Sequence, residues 1–143
     1  MTNGNAVSVQ PSGAPAPSLP LRVLIVDDDR DTVLSLTLLL QTEGHQIKGV
    51  ATAAAAWNVI RGFDPDVVLL DIGLPDKSGY ELAREFRRWY GALRPVIIAV
   101  TGWNQGSDKI LSQIAGCDHH VGKPYDPQLL LGMLAPLAAG LRY

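Results

Sequence analysis

Side chains that can bind a metal ion or a phosphate group follow four strand-like runs of the chain. They are Asp27 and Asp28 after residues 21–26, Asp71 after residues 67–70, Thr101 after residues 95–100, and Lys123 after residues 118–121. Parallel strands bring their carboxyl ends to one edge of a sheet, and open α/β sheets bind ligands at that edge. If these runs are parallel strands, their terminal residues form one site.

The types of these residues predict phosphate chemistry that depends on Mg²⁺. Three carboxylates in one place repel one another and lose hydration, which costs several kcal/mol unless a cation balances them. Mg²⁺ fits Asp27, Asp28 and Asp71 because it accepts one or two carboxylates and keeps water for its other positions. Thr101 offers a hydroxyl donor and Lys123 a mobile positive charge for phosphoryl oxygens. Asp71 is then the candidate nucleophile, which forms an acyl phosphate.

Each of these residues also has an ordinary structural explanation. Asp71 by itself can cap a helix or begin a turn, and the acidic run Asp27–Asp29 can stabilise a helix start through the dipole. Thr101 alone can be a turn hydroxyl, and Lys123 a solvated surface lysine. Their joint placement at four strand ends is hard to produce by chance, so we prefer the functional interpretation of the set.

The positions of strands and helices follow from the apolar pattern. The run Val67–Leu70 has no polar alternation, which is typical of a central strand buried on both faces. We predict strands at 21–26, 46–50, 67–70, 95–100 and 118–121, and helices at 30–43, from Thr52 to 61, 80–90, 106–115 and 127–139. Alternating strands and helices predict a flavodoxin-like (βα)5 fold, a doubly wound parallel sheet with strand order 2-1-3-4-5.

Length and composition describe one globular domain. The chain has 143 residues, of which 47 % are hydrophobic and 18 % charged, with a net charge of −2. This charge gives no reason to expect binding to nucleic acid or to an anionic membrane. No apolar run approaches the roughly 20 residues of a membrane span, and no secretory signal is visible. The single cysteine, Cys117, is expected to be a small buried residue, and its solitary occurrence fits a cytoplasmic location.

The first residues differ in composition from the rest. Residues 1–20 are rich in Pro, Gly, Ser and Ala and have no periodicity. Such a segment buries too little apolar surface to offset its ordering entropy. We therefore expect a disordered tail over 1–20 and a single domain over 21–140.

From about Leu21 to Ala139 the sequence resembles the receiver domain of two-component response regulators. The resemblance implies that Asp27 and Asp28 form the acidic pair, with Asp28 the more direct Mg²⁺ ligand. It implies that Asp71 is the phosphoacceptor and that the backbone carbonyl of Gly73 is a further Mg²⁺ ligand. Pro75 and Gly79 match the loop after the acceptor, and Asp29 is a helix-start residue.

The resemblance also implies roles for residues near the fourth and fifth strands. Thr101 supplies the hydroxyl that follows the phosphoryl group, and Lys123 is the lysine of the Lys-Pro pair, with a cis peptide bond before Pro124. His120 stands at the position of the switch residue, which is often aromatic in this family. His45 and His119 show no sign of a partner and are expected to be surface residues.

Together these roles imply a phosphorylation switch. Asp71 would accept a phosphoryl group, with Mg²⁺ present, from phosphohistidine on a histidine kinase or a histidine phosphotransfer protein. Thr101 and Lys123 would then draw the fourth and fifth strands into a second packing. The face around Trp103 to Ala115 and His120 would meet a downstream protein or a second copy. The chain would be a stand-alone receiver or one cut from a hybrid kinase, and not an enzyme.

Two alternative functions would place the chain in other classes of protein. The first is a receiver-like interaction module that never receives phosphate, which the complete set of site residues disfavours. The second is a phosphohydrolase of the haloacid dehalogenase type, because Asp29 to Val33 matches D-x-D-x-V. However, Asp29 lies too far beyond Val26 to be a strand-end nucleophile, and only Asp126 follows Lys123 where that family needs an acidic cluster.

The residues beside the site predict slow self-dephosphorylation. Gly73, two residues after the acceptor, has no side chain to orient a hydrolytic water, and Trp103, two residues after Thr101, cannot act as a base. We expect the phosphorylated chain to keep its phosphate when it is followed by mass spectrometry at neutral pH. Complete loss within a few seconds would contradict this.

Overall fold

Five parallel strands form the sheet at the centre of the structure. The computed structural model describes residues 19–102 and 106–140, and for 106–109 it describes the backbone alone. The strands are β1 (Arg22–Val26), β2 (Gln46–Val50), β3 (Val67–Asp71), β4 (Val96–Thr101) and β5 (His119–Gly122). Their order is β2-β1-β3-β4-β5, which confirms the predicted flavodoxin-like topology.

A helix follows each strand. The helices are α1 (Arg30–Thr42), α2 (Ala53–Phe63), α3 (Gly79–Tyr90), α4 (Gly106–Ala115) and α5 (Pro127–Ala138). The predicted bounds differ from these by at most two residues. Pro136 lies inside α5, which continues to Ala138. Residues 1–18 of the predicted tail lie outside the described residues, within which no helix is long and apolar enough to cross a membrane.

The alternation of side chains along β3 explains why the sheet is covered on both faces. Val68 and Leu70 pack with residues of α2 and α3, whereas Val67 and Leu69 pack with residues of α1 and α5. Every residue of β3 is buried as a result. This is why the central strand carries an uninterrupted apolar run and not a polar alternation.

Two helix starts behave as the sequence predicts, whereas His45 and His119, expected to be surface residues, are both half-buried. Asp29 is the N-cap of α1 and Thr52 the N-cap of α2, each with its side chain accepting a backbone N–H. His45, expected to be a surface residue without a partner, is half-buried, and its Nδ1 accepts the N–H of Leu21 at 3.0 Å. Burial lowers the pKa of His45.

Arg87 joins α3 to the strands β4 and β5. Its guanidinium donates to the carbonyls of Gly116 and Pro95, both at 2.7 Å, and pairs with Asp118 at 2.5 Å. The same Asp118 oxygen accepts the N–H of Ile97 at 2.8 Å. Gly116 has φ +94°, and a Cβ there would lie 2.6 Å from Arg87 Cγ, so only glycine fits beside the arginine.

Arg87→Ala is expected to lower the free energy of unfolding by about 2–3 kcal/mol. The variant leaves two carbonyls and the Asp118 carboxylate without their donor, and partial exposure of the pair keeps the loss below that of a fully buried one. Urea denaturation measures the change. Arg88→Ala, at the exposed neighbouring position, should change stability by less than about 0.5 kcal/mol. Equal effects of the two variants would refute this role of Arg87.

Candidate functional site

Three carboxylates meet at the carboxyl end of β1 and β3. Val26 lies opposite Leu70 in the sheet, so the residues that follow them, Asp27 and Asp71, lie side by side. One carboxylate oxygen from each of Asp27, Asp28 and Asp71 falls within 4.8 Å of the other two. Asp27 and Asp71 are buried, whereas Asp28 faces solvent. The positions of these residues at the predicted strand ends indicate the same convergence in the sequence.

Lys123 directly follows β5, the strand at one edge of the sheet, and its side chain extends to this cluster. Its Nζ lies 2.9 Å from Asp27 Oδ2 and 3.9 Å from Asp71 Oδ1. Burial opposes the charged ammonium, but the hydrogen bond to Asp27 and the charges of Asp27 and Asp71 outweigh it and raise the pKa of Lys123. The peptide bond between Lys123 and Pro124 is cis, as the resemblance implied.

Asp71 is held in an environment that disfavours its charge. Burial is the main cause that raises the pKa of Asp71, and the charge of Asp27 raises it further. The N–H of Gly73, which donates to Asp71 Oδ1 at 3.2 Å, and the charge of Lys123 act in the opposite direction without reversing the shift. The cluster therefore has more negative charge than one lysine balances, and its oxygen atoms are the donors that Mg²⁺ prefers.

Gly79 allows α3 to begin against the end of β3. A Cβ at this position would lie 2.5 Å from the carbonyl oxygen of Asp71 and 2.7 Å from Ile72 Cα. The N–H of Gly79 donates to the Ile72 carbonyl at 2.9 Å. Any larger residue would push the helix away from the strand, so the glycine keeps residues 72–78 folded back beside Asp71.

Thr101 and His120 occupy the two strands beyond β3. Thr101 is the last residue of β4 and is 2 % exposed, one residue beyond Val100, which lies opposite Asp71. His120 is half-buried in β5 and lies opposite Ala99. Both are near the cluster in the sheet, and their predicted switching roles stay predictions. Trp103, expected to leave the site without a base, lies outside the described residues.

The predicted partner face contains exposed aliphatic residues among the side chains that the structure describes. α4 packs against α3 and β5. Ile110, Leu111 and Ile114 of α4 are 58 %, 47 % and 69 % exposed. Exposed aliphatic residues that form a contiguous patch can mark a surface that binds another protein.

Asp29 is used for helix capping and not for chemistry at the site. Its Oδ1 accepts the N–H of Asp31 at 3.1 Å, and its Oδ2 accepts the hydroxyl of Thr32 at 2.8 Å. The exposed carboxylate is thus committed to the first turn of α1. The D-x-D-x-V pattern is therefore a helix start here, which removes the support for a phosphohydrolase.

Two residues near the site were not predicted from the sequence. Asp76 accepts the N–H groups of Ala53 and Ala54, and these bonds lower its pKa. Tyr125 is half-buried, and burial, together with the charge of Asp27, raises its pKa to about 12. No local sequence pattern indicates the interactions of Asp76 or Tyr125. An aspartate directly after Pro75 is typical of a turn and does not by itself predict a helix cap.

The chain belongs to the response regulator receiver domain family. A family model with that description matches residues 23–135, which is most of the chain. Both the sheet order and the acidic cluster agree with this assignment. The family consists of signalling modules of two-component systems and not of enzymes.

The chain matches one relative over about half of that protein's length and another over nearly all of it. The chain is 36 % identical over 112 residues to the transcriptional regulatory protein KdpE of Mycobacterium tuberculosis, covering 78 % of this chain and 48 % of that protein. It is 31 % identical over 119 residues to protein PilH of Pseudomonas aeruginosa, covering 83 % of this chain and 98 % of that protein. The chain thus spans about half the length of KdpE and nearly all of PilH.

Solved structures agree with the fold. A CheY-like receiver domain protein from Methanospirillum hungatei has a TM-score of 0.76 and 32 % identity, covering 86 % of this chain and 96 % of that one. The BeF3-activated receiver domain of Klebsiella pneumoniae RstA has a TM-score of 0.75 and 28 % identity, covering 82 % and 97 %. These similarities extend over nearly the whole of each receiver domain.

Asp71→Asn is expected to stabilise the fold at neutral pH by on the order of 1 kcal/mol. A carboxyl whose pKa is raised on folding contributes stability below its ordinary pKa of 3.8 and loses it as the pH rises through the folded value. The advantage of the variant should therefore be small below pH 3.8 and complete at pH 7.

Thermal unfolding as a function of pH measures this difference. The control is Asp64→Asn, an exposed aspartate that pairs with Arg22 only at 3.4 Å. An Asp71→Asn variant that is less stable than wild type at pH 7 would show that the aspartate is not destabilising in this site.

Proposed function

We propose that this chain accepts a phosphoryl group on Asp71 from phosphohistidine of a histidine kinase or a histidine phosphotransfer protein. One observation carries the proposal: oxygens of Asp27, Asp28 and Asp71 lie within 4.8 Å of one another, with Lys123 alongside. Membership of the receiver family supports the same role. Asp71 is the acceptor because it ends the central strand and lies between Asp27, Gly73 and Lys123.

The transfer is a substitution at phosphorus. A carboxylate oxygen of Asp71 attacks in line, and the bond between phosphorus and the donor histidine nitrogen breaks. The electron pair of that bond stays on the imidazole, which takes up a proton, and Asp71 becomes an acyl phosphate. The chain contributes position and charge in this chemistry, because little else is required of the protein in phosphoryl transfer.

The acidic residues provide a magnesium site for this step. Asp27, Asp28, Asp71 and the backbone carbonyl of Gly73 would hold the ion. When bound, Mg²⁺ supplies positive charge that offsets the carboxylates and the phosphoryl oxygens. Lys123 is bound to Asp27 before transfer, and its flexible side chain can pass to a phosphoryl oxygen afterwards.

Phosphorylation biases a two-state equilibrium of the β4–β5 side of the domain. Thr101, buried at the end of β4, donates its hydroxyl to the phosphoryl group, and His120 follows as the switch residue. The exposed apolar residues of α4 then meet a downstream protein or a second copy of the chain. Self-dephosphorylation is slow, and the output of the switch is regulation of that partner.

Incubation with acetyl phosphate and Mg²⁺, followed by intact-mass measurement, tests the proposal. Wild type should gain one phosphoryl group, the gain should require Mg²⁺, and Asp71→Asn should gain none. Asp64→Asn, which alters an exposed aspartate away from the cluster, should behave as wild type. If wild type gains nothing from acetyl phosphate or from a phosphohistidine donor, the chain is a phosphorylation-silent interaction module.

A further inference from the structure

Asp76 ties the loop after β3 to the start of α2. Its Oδ1 accepts the N–H of Ala53 and its Oδ2 accepts the N–H of Ala54, each at 3.0 Å. The next N–H groups, of residues 55 and 56, go to the side chain and the carbonyl of Thr52. All four donors at the start of α2 therefore have acceptors, and two of these acceptors come from a loop more than twenty residues later in the chain.

Lys77 gives the same loop a second attachment. Its Nζ lies 2.6 Å from Glu85 Oε2 on α3. The other oxygen of Glu85 accepts the indole N–H of Trp57 on α2 at 2.9 Å. We call Asp76, Lys77, Glu85 and Trp57 the loop clamp, because together they attach two successive loop residues to both neighbouring helices.

The other end of the loop carries the backbone of Gly73 beside the carboxylates. The N–H of Gly73 donates to Asp71 Oδ1 at 3.2 Å, while Gly73 itself is exposed and has no side chain to hold it in place. Leu74 is buried and anchors the middle of the loop through apolar contacts, which do not fix a direction. The direction of the backbone therefore depends on hydrogen bonds, namely that of the Gly79 N–H to the Ile72 carbonyl and those at Asp76 and Lys77.

We propose that Asp76 is a positioning residue of the phosphoacceptor site. By holding the loop against α2, it keeps the backbone of Gly73, whose N–H donates to Asp71 Oδ1, beside the carboxylate cluster. This inference rests on the proposed function, since it concerns how well the site is formed before Mg²⁺ and the phosphoryl group arrive. Groups that orient the ligands of a metal ion affect its affinity by about 10-fold to 100-fold.

Thr52→Ala is the matched control for Asp76→Ala. Both variants remove capping acceptors from the start of α2, so both should lower the melting temperature. Only Asp76→Ala also releases the loop. Amide hydrogen exchange separates the two roles, because the N–H of Gly79 is bonded to the Ile72 carbonyl within the loop. Exchange at residues 73–79 should rise several-fold in Asp76→Ala and stay at the wild-type rate in Thr52→Ala.

Magnesium affinity gives a second readout that is independent of phosphorylation. Calorimetric titration with Mg²⁺ alone should show a dissociation constant about tenfold higher for Asp76→Ala and unchanged for Thr52→Ala. Asp76→Asn, which retains one acceptor oxygen, should recover part of the affinity. The rate of phosphorylation by acetyl phosphate should follow the same order.

Equal exchange and equal Mg²⁺ affinity in Asp76→Ala and Thr52→Ala would overturn the inference and leave Asp76 as a helix cap only. If Asp76→Ala does not fold, Lys77→Met tests the clamp through its other attachment without removing a cap, and it should also raise exchange at 73–79. If wild type is neither phosphorylated nor binds Mg²⁺, the proposed function fails, whereas the exchange comparison still decides whether Asp76 holds the loop.

Discussion

The properties of the candidate site follow from the closeness of two buried carboxylates, Asp27 and Asp71. Pairing of β1 with β3 places the two carboxylates side by side, and both are buried, so solvent screens them weakly. Lys123 crosses from the end of β5 to bind Asp27 at 2.9 Å but stays 3.9 Å from Asp71. Asp71 is thus left with a charge that Lys123 balances only weakly and that a bound cation would offset.

The hydrophobic core makes this arrangement tolerable. Each fully buried aliphatic side chain contributes about 1.5–3 kcal/mol, and the strands β1, β3 and β4 bury such residues against helices on both faces. A few of these contributions exceed the several kcal/mol that crowded carboxylates cost. The fold can therefore hold an electrostatically unfavourable site at its edge and remain folded, as functional sites commonly require.

Rigid and movable parts of the site are built differently. Asp27 and Asp71 are fixed by strand backbone, and residues 72–78 are attached at Gly79 and at the loop clamp. Lys123, in contrast, contacts Asp27 only through the ammonium at the end of a flexible side chain. This ammonium can therefore exchange one anionic partner for another. The apolar residues exposed on α4 lie on a helix that packs against β5, the strand that carries this lysine towards the site.

The sequence by itself determined the strand order, the helix bounds to within two residues and the meeting of Asp27, Asp28 and Asp71, because these follow from periodicity and from the geometry of parallel strands. It did not reveal the acceptor partnership of His45, the Arg87 network or the role of Asp76. Each of these joins segments more than twenty residues apart through a few side-chain hydrogen bonds, which leave no periodic pattern in the sequence. Only the packing of helices onto the sheet brings such groups within hydrogen-bonding distance.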